Sequence, residues 1–195
     1  MNAQRRVRLS PDQRREQLLE LGVELLATRT LDELSVELLA EEAGISRGLL
    51  FHYFKNKQEF HREVVRRAAE DLLRVTDPDP NLPAEQQLAS SMAAYVDYVS
   101  EKYQSYVSLV RGAASGDDQL REIADATRSA LTDRITSNLA NLGLHHTPAA
   151  LLAARGWTAY AEELVVSWAA APPIPRDELI RMLTESLAAV IATAR

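Results

Sequence analysis

The chain has 195 residues, 46% of them apolar and 26% charged, which suits one or two globular domains with a sizeable buried core. It contains no cysteine, which excludes disulfides, thiol nucleophiles and cysteine-ligated metals. No apolar run approaches the ~20 residues of a membrane span, and the basic N-terminus has no apolar stretch behind it of the kind a signal peptide needs, so the expectation is a cytoplasmic protein with no membrane partner. The net charge of −6 opposes nucleic-acid binding, but it is unevenly spread. Residues 1–67 carry 12 Lys+Arg against 11 Asp+Glu, whereas residues 68–195 carry 10 against 17, so the acid is concentrated in the second part.

Met1 to Leu9 carries Arg5, Arg6 and Arg8 and no acid, a basic tail or an arm able to reach phosphates. Ser10-Pro11-Asp12-Gln13 is a helix start, with a serine cap, proline in the first helical position and Gln13 as capping-box partner. Leu18, Leu21, Gly22, Leu25 and Leu26 then form a helical stripe. Ser35 caps a second helix, with Leu34 and Leu39 as its staple and Val36, Leu39, Ala40 and Ala43 on its inner face. Glu37, Glu41 and Glu42 point outward.

The stretch from Gly44 to Lys57 (GISRGLLFHYFKNK) reads as a tight glycine turn, a short helix and the capped start of another. Gly44 can adopt the left-handed conformation that closes the preceding helix, and Ser46 caps the next. Leu50 and Phe54 are i,i+4 and point inward with Ile45. Gly48, Leu49 and His52 then point outward, flanked by Arg47, Phe51 and Tyr53. Asn56 caps a third helix, with Glu59 as its capping-box partner and Lys55 and Lys57 at its N-terminus, where backbone N–H groups attract phosphate. Helix, sharp turn and second short helix is the helix-turn-helix pattern.

Gly44, Ile45, Ser46, Gly48, Leu50, Phe51, Tyr53, Phe54, Asn56, Lys57 and Phe60 together resemble the DNA-binding signature of the TetR family of transcriptional regulators. The resemblance covers about the first 70 residues; beyond them only length and helical layout correspond. It implies that Ser35, Tyr53 and Lys57 hold phosphates while Arg47, Gly48, Leu49 and His52 approach base edges, and that Ser46, which caps their helix, also belongs to the DNA-binding set. It also implies a homodimer on a palindromic stretch of double-stranded DNA and a small-molecule effector that releases it.

Phe60, Val64, Ala68 and Leu72 make an i,i+4 stripe on a helix that joins this first unit (1–75) to the rest. Thr76 to Pro83, with prolines at 78, 80 and 83, is the boundary, and residues 84–195 form the second domain. Helical spacing returns through Leu88, Met92, Tyr95, Val96, Val99 and Tyr103, followed by a shorter helix with Tyr106, Val107 and Val110 and an interruption at Gly112 to Gly116. A long helix runs from Leu120 to Leu142, and residues 143–148 make a turn. Two further helices cover about Ala149–Ala171 and Asp177–Ala194, joined by Pro172, Pro173 and Pro175. The fold class is therefore all-α, with about nine helices.

The last two helices form an antiparallel hairpin rich in alanine. By the resemblance they are the dimer interface, for which Leu164, Trp168, Leu179, Leu183, Leu187 and Val190 are candidates. Met92, Tyr95, Tyr103, Tyr106, Trp157 and Tyr160 are candidates for lining a ligand cavity between helices, with Arg111, Arg155, Glu162 and Glu163 as possible polar handles. Each also has an ordinary reading, in the core for the aromatics and on a solvated face for the charges. His145 and His146 are adjacent and cannot share a metal on one helical face, His52 faces outward, and His61 reads as a surface residue. No phosphate loop or nucleophile elbow is present, so no catalytic residue, metal or cofactor is expected. The alternative to a DNA-binding regulator is a small helical enzyme or ligand-binding protein with no DNA role.

Overall fold

The structure, a computed structural model, describes residues 10–112, 116–137 and 147–194. Among them are nine helices: α1 (Pro11–Leu26), α2 (Val36–Glu42), α3 (Arg47–Tyr53), α4 (Lys57–Val75), α5 (Ala84–Glu101), α6 (Tyr103–Gly112), α7 (Asp118–Ser137), α8 (Pro148–Ala170) and α9 (Arg176–Ala192). The basic arm at 1–9, the end of the long helix beyond Ser137 and the adjacent histidines 145 and 146 lie outside the described residues.

The early helix starts follow their capping side chains. Ser10 and Gln13 form the reciprocal capping box of α1. Ser35 accepts from the backbone N–H of Leu38, Ser46 from that of Leu49, and Asn56 from that of Glu59. The α4 box departs from the expected one: Glu59 Oε2 accepts from the N–H of Lys55 at 2.6 Å, one residue earlier than the cap. Between α2 and α3, Gly44 has φ +62°, the N–H of Gly44 donates to Glu41 O (3.1 Å) and the N–H of Ile45 donates to Ala40 O (3.0 Å). That is a Schellman closure, and glycine at its left-handed position turns the chain sharply enough to set α3 across α2.

Leu50 and Phe54 seat α3 on this layer; they are 1% and 2% exposed. Phe60, Val64, Ala68 and Leu72 are buried as expected, and Phe54 meets Phe60 edge to face. Gly22 of α1 is required by the close approach of α4. A Cβ there would lie 2.6 Å from Val64 Cγ2 and 3.1 Å from the Phe60 ring, both fully buried side chains. Gly22→Ala is expected to destabilise the fold by about 1–3 kcal/mol through overpacking. Urea denaturation measures this, and an unchanged midpoint would mean that α1 and α4 separate freely.

α4 packs on α1 in the first unit and on α5, α6 and α7 in the second, so one continuous core runs through both. Polar ties reinforce it. Arg62 pairs with Asp117 at the start of α7 (3.0 Å), Arg67 pairs with Glu16 of α1, and Tyr98 OH donates to Ala68 O (2.7 Å). A displacement of α4 is therefore felt at both ends.

Two element boundaries differ from the sequence reading. Tyr103 opens α6 rather than closing α5, because Lys102 leaves the helical region (φ −122°, ψ 43°). Thr147, read as part of a turn, caps α8, with Pro148 in the first turn. His61 is also not a plain surface residue. It is partly buried, its Nε2 lies 2.7 Å from Leu34 O, and burial lowers its pKa from the usual imidazole value.

Candidate functional site

The outward face of α3 carries Arg47, Gly48, Leu49, Phe51 and His52, all exposed. Leu49 is 39% exposed and Phe51 49%, large apolar side chains that a helix intended only for solubility would not present to water. Phe51, a flanking residue by its spacing, stands with Leu49 on the exposed face of α3. A Cβ added at Gly48 would meet nothing nearer than Ser46 Oγ at 4.0 Å, so the glycine keeps this end of the helix low and open. Tyr53 is half-buried and packs edge to face with His52, their ring centroids 5.4 Å apart.

Arg47 does not hang free. Its Nη2 lies 3.0 Å from Glu37 Oε1, in a pair whose side chains are 65% and 54% exposed. Ser35 sits at the N-terminus of α2 with its Oγ engaged by Leu38 N–H at 3.0 Å. Lys57 opens α4, its Nζ 3.2 Å from Asp32 O, and Arg15 stacks over Phe54 with its Cζ 5.2 Å from the ring centroid. Arg47 thus stands on the exposed face of α3 and Lys57 at the start of α4, while Leu50 and Phe54, with Arg15 over the Phe54 ring, anchor the other side of α3.

A second concavity lies between α5, α6, α7, α8 and α9, beside Thr76 at the end of α4. It has a volume of about 80 Å³ and is lined by Leu88, Met92, Leu131, Ile135, Ala161 and Leu187, with Tyr95, Tyr106 and Trp157. Four of the six aromatic and Met candidates, Met92, Tyr95, Tyr106 and Trp157, line this cavity. Tyr103 does not, because the break at Lys102 changes its helical phase, and Tyr160 is 42% exposed on the far side of α8. Tyr95 and Tyr106 hydroxyls hydrogen-bond each other, and burial raises the pKa of both, so both stay protonated at neutral pH. Trp157 Nε1 donates to Ser186 Oγ at 2.9 Å.

The polar lining was mostly missed from sequence: Thr76, Gln87, Ser91, Arg134 and Thr158 join the anticipated Glu162. Arg111, Arg155 and Glu163 are exposed. Arg128 Nη2 binds both oxygens of Glu162 (3.0 and 3.2 Å), while Arg134 Nη1 donates to Thr76 Oγ1 at 3.0 Å and its Nη2 lies 3.1 Å from Asp77. The Ser91 hydroxyl is buried with no hydrogen-bond partner.

On the hairpin, Leu179, Leu183 and Leu187 are 2%, 0% and 1% exposed within the single chain. They are committed to the core against α5 and α8 and are not available to a partner, which corrects their place among the interface candidates. Leu164, Trp168 and Val190 are half-buried, and Trp168 Nε1 donates to Ile174 O at 2.8 Å. The face left open instead bears Leu152 (73%), Tyr160 (42%) and Met182 (39%) among exposed Gly156, Ala159, Ala188, Ala189 and Ala192.

Among the described residues no group of His, Asp and Glu could hold a metal, and no helix is long and apolar enough to cross a membrane.

Residues 18–64 match the family described as bacterial regulatory proteins, tetR family, and residues 84–190 match that described as tetracyclin repressor-like, C-terminal domain. A crystal structure of a tetR-family transcriptional regulator from Streptomyces coelicolor superposes with a TM-score of 0.84 and 32% identity, over 95% of this chain and 83% of that one. Two curated relatives come from Mycolicibacterium smegmatis. The HTH-type transcriptional repressor KstR2 is 41% identical over 56 residues, 29% of this chain and 27% of that protein. The HTH-type transcriptional activator FasR is 25% identical over 135 residues, 66% of this chain and 59% of that protein. The matches thus span less than two thirds of either curated relative. With a helix-turn-helix closed by Gly44, a joining helix shared by two units, and family matches over both, this chain belongs to the TetR family of bacterial transcriptional regulators.

Proposed function

We propose that the protein is a ligand-responsive repressor that binds a palindromic operator as a homodimer and is released when a small, largely apolar molecule occupies the cavity. The observation that carries the DNA reading is the outward face of α3, where Arg47, Leu49, Phe51 and His52 stand exposed around an open Gly48. In this reading Arg47, Gly48, Leu49 and His52 approach base edges, and Ser35, Tyr53 and Lys57 hold phosphates. The dimer forms through the open face of α8 and α9, whose glycine and alanines let helices approach closely while Leu152, Tyr160 and Met182 supply apolar area. Relatives include both a named repressor and a named activator. The cavity abuts Thr76 at the end of α4, so an occupant is placed to move the helix that carries the DNA-binding unit.

A ligand can shift this equilibrium only by preferring the DNA-incompetent arrangement, and DNA must then weaken ligand binding by the same factor. The DNA half of the proposal is tested by Lys57→Ala. Binding is expected to weaken about equally on all duplex sequences, and the slope of log affinity against log salt to fall by roughly one. Fluorescence anisotropy over a salt series measures both, and an unchanged affinity and slope would remove Lys57 from the phosphate contacts.

A further inference from the structure

The cavity read above as the effector site has an internal order that points to the chemistry of its occupant; this inference rests on that reading. Its wall along α7 presents Arg134; Arg128, six residues earlier, points from a different side of the helix and is not part of the lining. Arg128 is held by both oxygens of Glu162 and by Asp125. Glu162 itself lines the cavity, so one end shows an already paired acid and a neutral tyrosine pair to an occupant. At the other end Arg134 lines the cavity beside Thr76 and Gln87. Its contact with Asp77, a carboxylate 69% exposed, is well solvated and readily exchanged. Between the two ends the lining is mostly apolar, with the hydroxyl of Thr158, which donates to Ala154 O, and that of Ser91, which has no hydrogen-bond partner among the described residues.

We infer that the cavity takes an amphipathic carboxylate whose acid group pairs with Arg134 and whose apolar body lies toward Tyr95 and Tyr106. The Glu162 end offers an anion only a carboxylate already paired with Arg128, whereas the Arg134 end offers the N–H donors of a partly buried guanidinium. The same arginine is a tether on the DNA-linked helix. Arg134 donates to Thr76, the C-cap of α4, and Thr76 in turn donates to Leu72 O at 2.7 Å. A carboxylate that takes Arg134 therefore competes with Thr76 and Asp77 and loosens the end of α4. Seating of the ligand and release of the helix are one exchange of partners.

The test is calorimetric titration of the full chain at neutral pH with octanoate, 1-octanol and octylammonium, which share one apolar body and differ in charge. Octanoate is expected to bind at least tenfold tighter than octanol, and octylammonium weakest. Arg134→Gln should bring octanoate and octanol to within about twofold. Asp77→Asn, which removes a competitor on the surface, should tighten octanoate several-fold and leave octanol unchanged; it decides the matter alone if Arg134→Gln fails to fold. Equal binding of octanoate and octanol, tighter binding of octylammonium, a charge preference that survives Arg134→Gln, or no response to Asp77→Asn would each overturn the inference while leaving the cavity reading intact. Binding of none of the three would overturn both.

Discussion

Leu183→Glu is expected to give no folded protein, and Leu179→Glu or Leu187→Glu the same, whereas Leu152→Glu should give folded, soluble monomers. Leu183 is 0% exposed. Replacing it removes a packed side chain, at about 2–5 kcal/mol, and buries a carboxylate beside Leu179 and Leu187, at several kcal/mol more. The total rivals the ~5–15 kcal/mol that holds a domain together. Leu152, at 73% exposed, touches little within its own chain, so its replacement should change subunit stability by only about 0.5 kcal/mol. Placed on an interface between copies, the same glutamate would be desolvated and unpaired. Circular dichroism and sedimentation separate the outcomes. A folded Leu183→Glu protein would contradict the packing, and a Leu152→Glu dimer would place the interface elsewhere.

Arg47→Ala is expected to cost about 1–3 kcal/mol on the best operator and to relax preference at one base pair, the loss of a bidentate base contact. The Glu37 pair adds a consequence of the opposite sign. In the free protein Glu37 holds the Arg47 guanidinium at 3.0 Å on an exposed surface, an arrangement worth up to about 1 kcal/mol. Arg47 must leave it to reach a base, and the carboxylate that remains faces phosphates. Glu37→Gln should therefore strengthen DNA binding, up to about fivefold from the pair alone by the same magnitude. Anisotropy titrations on a matched and a mismatched duplex measure both variants. Weaker binding by Glu37→Gln would show instead that Glu37 positions Arg47 for its contact.

The helix-turn-helix was legible because its residues act locally. Ser10, Ser35, Ser46 and Asn56 each cap a helix within three residues, and Gly44 closes a turn with hydrogen bonds to residues only a few positions back. Apolar spacing then placed Leu50, Phe54, Phe60 and Leu72 inside. The second domain was legible as helices but not as faces. In α9 the leucines at 179, 183 and 187 form the stronger stripe, yet that stripe serves the chain's own core, and the open face is marked by alanines and Met182. Periodicity reports that a face is apolar, not which neighbour covers it. The cavity's polar lining was hidden for a related reason. Arg134, Thr76 and Gln87 come from three segments, and nothing local distinguishes a buried arginine from a solvated one. Tyr103 was misplaced by a single non-helical residue, Lys102, which carries no glycine or proline signal.

The central claim is that two copies of α3 read one symmetric stretch of DNA. Selection from a pool of random duplexes with the purified full chain tests it most directly. Enrichment of an inverted repeat whose half-sites lie about one helical turn, ~34–36 Å, apart is the expected result. Enrichment of a single asymmetric site, or of no sequence above the starting pool, would contradict it.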